Sequence, residues 1–209
     1  MNAPSVRSPR KPKGQGAERR EEILAAALKL FTQFGVYAVS TRQIAQAVGI
    51  SQPTLYAYFP TKDDIGAELH ARAFALLAES LADRQRGLAA TPRDLAGMLR
   101  IYVDFGLKNP AMYRIAFMAE QAEAWWKEEV ALSPAAQSTY GVLRAEMDEL
   151  HARGMTIDLD PETITQSVWS SMHGLVALLI AKPGFPWVER EHLIESHLSM
   201  VARGVMRAP

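Results

Sequence analysis

The segment that decides the fold reads ISQPTLYAYFPTK and covers residues 50–62. Ser51 can cap a helix with proline in its first turn, where the missing N–H has no intrahelical acceptor. Leu55 and Phe59 lie four residues apart and therefore share one face of that helix. The remaining positions carry hydroxyl, amide and phenol groups and no Asp or Glu. The pattern predicts a short helix packed on one side and polar on the other. A half-buried polar helix of an ordinary bundle is the alternative.

The residues around this helix have the spacing of a helix-turn-helix motif. Ala45, Gly49 and Leu55 occupy relative positions 0, 4 and 10. The small Ala45 lets a second helix cross closely, and Gly49 can adopt the left-handed conformation that ends the first helix. Many helical hairpins would satisfy these three positions, so the spacing alone does not establish DNA binding.

The outward side chains of the predicted second helix suit double-stranded DNA. Glutamine can pair with adenine, and threonine can contact a base edge or the thymine methyl group. Tyrosine hydroxyls and a lysine can bind phosphates, which fixes the register without reading the sequence. A carboxylate here would repel the phosphate backbone. The outward set consists of Gln52, Pro53, Thr54, Tyr56, Tyr58 and Lys62.

The distribution of charge also favours a polyanionic partner. The chain of 209 residues has no net charge, but residues 1–62 carry 9 Lys and Arg against 3 Asp and Glu, whereas residues 63–209 carry 14 against 20. A polyanion would be attracted to the first region. Residues 1–16 are rich in Pro, Gly, Ser, Lys and Arg, and we predict a disordered basic arm there. A chance fluctuation combined with a solvated tail is the alternative.

Helical signals continue along the rest of the chain. No stretch alternates with the period of a strand, and four capping side chains directly precede a proline, as is typical of helix starts. These pairs are Thr91-Pro92, Asn109-Pro110, Ser133-Pro134 and Asp160-Pro161. We predict an all-α protein with about nine helices. The absence of cysteine excludes disulfides and fits a reducing cytoplasm, and no apolar run approaches the roughly 20 residues of a membrane span.

The segment ILAAALKLFTQFGVYAVSTRQIAQAVGISQPTLYAYFPTKDDI resembles the DNA-binding domain of the TetR family of transcriptional regulators. The resemblance rests on Leu-Phe-x-x-Phe-Gly at the end of the first helix, on the Ile44-Ala45 pair, on Gly49, and on the Thr-Leu-Tyr and Tyr-Phe groups before Lys62. It implies a three-helix helix-turn-helix domain followed by a helical domain for ligand binding and dimerisation. The implied boundaries are a basic arm at 1–16, a DNA-binding domain at 17–63 and an effector and dimerisation domain at 64–209.

The resemblance also implies a role for each matching residue. Arg42 would reach a base or a phosphate, the start of the second helix would face the major groove, and the tyrosines and lysine would hold phosphates. Ala57 stands where a larger aromatic can occur. The implied DNA-binding residues are Thr41, Arg42, Gln52, Pro53, Thr54, Tyr56, Tyr58 and Lys62.

Two apolar helical faces near the C-terminus predict a dimer. Two such helices from each of two subunits would form a four-helix bundle, and a two-fold dimer fits a two-fold DNA site. Packing of these faces only within the monomer is the alternative. The expected interface residues are Val168, Met172, Val176, Leu179, Ile194, Leu198 and Val201.

Aromatic and methionine residues are dense between residues 98 and 147, as in an adaptable apolar ligand pocket. The segment WSSMHGL, residues 169–175, resembles a Trp-x-x-x-His-Gly element of some TetR-family members. The candidate effector-binding residues are Phe74, Tyr102, Phe105, Tyr113, Phe117, Trp126, Trp169 and His173. Ordinary core packing is the alternative for each, and a structural role is the alternative for the histidine.

No pattern in the sequence indicates catalysis, a metal or a cofactor. None of the five histidines is part of a His-Glu-x-x-His motif, and the Glu-x-x-His spacing of Glu189 and His192 lacks the second copy of a di-iron bundle. We therefore expect a cytoplasmic, ligand-responsive homodimer that binds operator DNA, most simply a repressor released by a largely apolar small molecule. A helical ligand-binding protein with degenerate DNA binding is the alternative, and the intact set of DNA-facing residues argues against it.

Overall fold

The computed structural model describes residues 16–82, 89–118 and 134–207. Over these residues the chain forms nine α-helices, a π-helical turn at Arg114–Met118, and no strand. The expected all-α fold is therefore confirmed. The helices are α1 Gly16–Phe34, α2 Thr41–Val48, α3 Gln52–Tyr56, α4 Lys62–Ala82, α5 Pro92–Lys108, α6 Pro110–Tyr113, α7 Pro134–Ala152, α8 Pro161–Ala181 and α9 Arg190–Val205.

The chain divides into two compact units. Unit 1 comprises Met1–Ala73 and Ala111–Leu132, and unit 2 comprises Phe74–Pro110 and Ser133–Pro209. The packing boundary thus lies inside α4, whereas the functional boundary predicted from the sequence lies at the start of that helix. Of the predicted basic arm, only residue 16 is among the described residues, and it begins α1.

Unit 1 is organised around one apolar core. Helix α1 packs against α2 and the π-helical turn, and α2 packs against α3. Ile23, Ala27 and Phe31 recur every four residues along α1 and are all buried. Leu55 of α3 is fully buried in the same core and Phe59 almost fully so. A five-residue helix is too short to persist in water by itself, so this burial is what holds α3 in place.

Unit 2 is a helical bundle in which α5 packs against α8 and α9, and α7 packs against α8. Two of the predicted caps are observed: the hydroxyl of Thr91 accepts from Asp94 N at 3.2 Å, and the carboxylate of Asp160 accepts from Thr163 N at 2.9 Å. A single backbone bridge joins Thr156 to Met206 and ties the end of α9 to the segment before α8.

Helix α8 is the one described helix that is long and apolar enough to cross a membrane by length and composition, which corrects the expectation from the sequence. Seven of its residues are buried within unit 2, and it contacts three other helices. This packing accounts for its apolar character.

Candidate nucleic-acid interface

The turn between α2 and α3 fixes the angle at which α3 leaves the core. Ser40 caps α2, and its backbone N–H in return donates to the Gln43 side chain at 2.8 Å, as the capping-box spacing requires. Gly49 ends the helix with φ at 71°, a conformation that favours glycine. Ile50 N donates to Ala45 O at 3.0 Å, which completes a Schellman motif. These hydrogen bonds define the turn and the point from which α3 starts.

Three of the predicted DNA-binding side chains form a closed hydrogen-bonded cycle, which we call the polar triad. The side-chain nitrogen of Gln52 donates to Thr41 Oγ1 at 3.0 Å and to the Tyr56 hydroxyl at 3.1 Å. The two hydroxyl oxygens lie 3.2 Å apart. These bonds with Thr41 and Gln52 lower the pKa of the exposed Tyr56 phenol. The triad links the start of α2 to α3 at the surface.

Three further predicted residues of α2 and α3 have side chains accessible to solvent. Arg42, Pro53 and Thr54 are exposed. The Thr54 hydroxyl lies 2.7 Å from Ser51 Oγ, which also accepts from Thr54 N. The Thr54 hydroxyl is therefore engaged in the helix cap, and its methyl group is the part best suited to a thymine contact.

Lys62 has a structural partner that the sequence did not indicate. Its ammonium group donates to Val36 O at 2.9 Å and to Val39 O at 3.0 Å, which fastens the loop between α1 and α2 to the start of α4. An ammonium group has three hydrogens, so one remains for a phosphate.

Arg20 stabilises the motif, a role that no pattern in the sequence indicated. It lies on α1, and its guanidinium donates to Tyr58 O at 3.1 Å, lies 4.1 Å from the centre of the Phe59 ring and pairs with Glu68 of α4. Arg72 of α4 in turn donates to the same carboxylate at 2.7 Å. The partners are 38 to 48 residues apart in the chain, so no local spacing signals them. Together they hold the segment that follows α3 between α1 and α4.

The surface of the motif carries no negative charge from its own segment. Residues 23–62 contain no Asp or Glu, and their charged residues are Lys29, Arg42 and Lys62. The acids nearest in sequence, Glu22 and Asp63, flank this segment, and Glu22 is paired with Arg19. An acid-free helical surface with amide, hydroxyl and phenol groups suits a polyanion.

The candidate effector-binding residues are distributed over both units. Phe74, Tyr102, Phe105, Trp169 and His173 belong to unit 2, Tyr113 and Phe117 belong to unit 1, and Trp126 lies outside the described residues. The ring centres of Tyr113 and Phe117 are 4.8 Å apart, and those of Trp169 and His173 are 6.4 Å apart. Burial lowers the pKa of His173, which favours the neutral imidazole.

Three of the aromatic candidates, Phe74, Phe105 and Tyr113, are buried, so core packing accounts for them within the single chain. None of the seven candidates that the structure describes lines a half-open cleft of about 430 Å³ on unit 1. Its lining residues are Phe31, Thr32, Phe34, Gly35, Val36, Tyr37, Ala38, Arg114, Ile115 and Met118.

The residues predicted for a dimer interface face the interior of unit 2. Six are buried within the single chain, and Val201 is half-buried; the six are Val168, Met172, Val176, Leu179, Ile194 and Leu198. A buried side chain has no surface to offer a second subunit, so the apolar stripes of α8 and α9 are explained by the core. The large apolar side chains that these two helices do expose are Trp169, Leu178 and Met200.

Both parts of the chain match known protein families. Residues 23–69 match bacterial regulatory proteins of the tetR family, and residues 95–201 match the C-terminal domain of tetracyclin repressor-like proteins. The first match covers α2, α3 and the polar triad completely. The second covers more than half of the chain.

Curated relatives match over part of their length. The nucleoid occlusion factor SlmA of Haemophilus influenzae (strain PittGG) is 29% identical over 126 residues, which is 58% of each protein. The HTH-type transcriptional regulator AcrR of Shigella flexneri is 31% identical over 94 residues, 45% of this chain and 44% of that protein. The matches thus span about half the length of these relatives.

Solved structures share the whole fold at low identity. A regulatory protein of the tetR family from Rhodococcus RHA1 superimposes with a TM-score of 0.73 at 19% identity, over 92% of this chain and 99% of that one. The ketosteroid transcriptional regulator KstR2 of Mycobacterium tuberculosis gives 0.69 at 20% identity, over 95% and 100%. At this identity the likeness establishes the fold.

Proposed function

Because the chain belongs to the TetR family of bacterial regulatory proteins, we propose that it is a ligand-responsive transcriptional regulator that binds operator DNA through α2 and α3. The observation that carries the proposal is the partly exposed polar triad on an acid-free helix-turn-helix surface. A polar network of this kind contributes little to the core, since α3 is already held by Leu55. Binding to DNA would account for the presence of these polar side chains.

In the proposed complex α3 enters the major groove. Gln52, Pro53 and Thr54 face base edges, whereas Tyr56, Tyr58 and Lys62 hold phosphates. Thr41 and Arg42 at the start of α2 contact the adjoining backbone or a base. The phosphate contacts fix the register, and the first residues of α3 supply the sequence preference.

The proposed regulator is a homodimer, because two reading helices related by a two-fold axis can occupy successive major grooves about 34–36 Å apart. The outer faces of α8 and α9 form the interface in this proposal. Met200 and Leu178 are 65% and 51% exposed, so these outer faces carry large apolar side chains that a second subunit would cover.

A small, largely apolar effector binds the C-terminal half and releases the DNA in this proposal. Tyr102, Trp169 and His173 are the candidates of unit 2 that are not fully buried, and they are the best placed to contact a ligand. By linkage, DNA weakens effector binding by the same factor by which the effector weakens DNA binding. The proposed role is that of a cytoplasmic repressor and involves neither catalysis nor a cofactor.

Selection from random duplexes with the purified full-length chain tests the DNA-binding proposal. We expect enrichment of a two-fold symmetric sequence bound at least about a thousandfold more tightly than random DNA. Gln33→Ala is the matched control for Gln52→Ala, since Gln33 is also a helical glutamine but lies exposed on α1 and is not part of the polar triad. A chain that folds and dimerises but enriches no sequence would instead be a ligand-binding protein with degenerate DNA binding.

A further inference from the structure

The polar triad restricts what Gln52 can offer to DNA. Three contacts close the cycle, at 3.0, 3.1 and 3.2 Å. Each hydrogen bond needs its own hydrogen. The hydroxyls of Thr41 and Tyr56 supply one hydrogen each, and the amide nitrogen of Gln52 supplies two.

This count fixes the orientation of the amide. With the nitrogen facing the two hydroxyls, its two hydrogens make both amide contacts, and one hydroxyl hydrogen makes the third. With the amide oxygen facing inward, only the two hydroxyl hydrogens would serve three contacts, and one contact would fail. The nitrogen therefore faces the triad, and the carbonyl oxygen Oε1 is the group that remains for a partner.

A glutamine that reads adenine in bidentate fashion uses both ends of its amide: the oxygen accepts from the adenine N6 amino group, and the nitrogen donates to N7. In this chain both nitrogen hydrogens are already engaged. We propose that Gln52 reads its base through Oε1 alone and selects an exocyclic amino group, that of adenine or cytosine. This inference rests on the proposed DNA-binding function and specifies how the site discriminates between bases.

The triad also explains why a single contact can be specific. Thr41 and Tyr56 hold the amide from two helices, so the carbonyl oxygen is fixed before DNA arrives and little side-chain freedom is lost on binding. Guanine and thymine present acceptors to the major groove at the corresponding positions, and an acceptor facing Oε1 gains no hydrogen bond. The expected preference at this position is adenine or cytosine over guanine or thymine.

The test begins with the operator obtained by selection, in which Gln52→Ala identifies the base pair that loses its preference. At that position adenine is replaced by purine, which lacks the N6 amino group, or by 7-deazaadenine, which lacks the N7 acceptor. We expect purine to weaken binding about 5- to 10-fold, the loss of one hydrogen bond, and 7-deazaadenine to change it less than twofold. The same analogues at an adenine insensitive to Gln52→Ala are the control.

The double variant Thr41→Val, Tyr56→Phe removes both hydroxyls while keeping the side-chain shapes. Its amide hydrogens are released, so we expect it to become sensitive to 7-deazaadenine and to prefer adenine over cytosine, whatever its overall affinity. If the wild-type protein loses as much affinity with 7-deazaadenine as with purine, the amide leaves the triad on binding and the inference is wrong. The inference is also wrong if Gln52→Ala changes no base preference or if neither analogue weakens binding. Failure to bind any specific DNA would instead contradict the proposed function.

Discussion

The outer face of α3 in unit 1 and the outer faces of α8 and α9 in unit 2 are both exposed helical surfaces, but they are built from different groups. The face of α3 presents an amide and hydroxyls bonded to one another, whereas α8 and α9 present a tryptophan, a leucine and a methionine. A polar network on a small, well-packed helix needs a functional explanation, because the core is complete without it. An exposed apolar residue does not indicate its role in this way, since apolar residues occur in cores, in interfaces and in ligand pockets alike.

The largest effects on folding and on dimerisation should come from a carboxylate placed either on the buried side or on the exposed side of α8 and α9. Val176→Glu puts a carboxylate at a fully buried position of unit 2 and should destabilise the fold by about 3–5 kcal/mol. Met200→Glu puts the same group where the side chain is 65% exposed and should leave folding intact while abolishing the dimer. Urea unfolding and analytical ultracentrifugation separate the two outcomes. If Met200→Glu stays dimeric at micromolar concentration, another surface forms the interface.

Lys62 combines a structural and a proposed DNA-binding role. Lys62→Met keeps the apolar stem but removes both hydrogen bonds to the loop between α1 and α2, and we expect unit 1 to lose about 2 kcal/mol of stability. DNA affinity should fall as well, through the lost phosphate contact. Lys29→Met, at an exposed position of α1, is the control. Unchanged unfolding in the absence of DNA would mean that the two carbonyl contacts contribute nothing.

Most of the fold could be predicted from the sequence, because its signals are local. The caps of α2, α5 and α8 and the glycine after α2 lie within a few residues of what they stabilise. The placement of Leu55 in the core also followed from helical spacing. The exposed side of α3 could be predicted for the same reason.

What the sequence did not reveal depends on contacts between distant residues. The partners of Lys62 and Arg20 are 23 to 48 residues away in the chain, and no spacing rule connects them. The seven expected interface residues were chosen for apolar periodicity, which is the same for a face that packs inside the chain as for one that meets a partner. Only the tertiary contacts formed on folding distinguish the two cases.

The variant Gln52→Ala tests whether α3 reads bases through this residue. Removal of the amide should cost about 1–3 kcal/mol of binding free energy for the preferred operator and relax the preference at one base position. Thermal stability should hardly change, because Leu55 and the Ser51 cap still hold the helix. A binding-site profile identical to that of the wild-type protein would show that α3 does not read bases through this residue.

The basic arm should add affinity without specificity. Helix α1 begins at Gly16, whose backbone lies close to the Tyr58 ring. Replacing Arg7, Arg10, Lys11 and Lys13 with glutamine should therefore weaken binding to all sequences about equally. Each lost phosphate contact should reduce the slope of log K against log salt by about 0.9. A slope equal to that of the wild-type protein would show that the arm only aids solubility.

The smallest effect concerns pH and involves one histidine in each unit. Burial lowers the pKa of His70 in unit 1 and of His173 in unit 2 below the ordinary value. As the pH falls through about 6.5, the unfolded chain takes up these protons while the folded chain does not, so stability decreases with acidification. His70→Gln and His173→Gln should each flatten the dependence of urea unfolding on pH between about 7 and 5, and the double variant should flatten it further. Neither histidine belongs to the proposed DNA-binding set, so DNA affinity at pH 7.5 should change little. If the single variants keep the slope of the wild-type protein, the folded chain accommodates the protonated rings as well as water does.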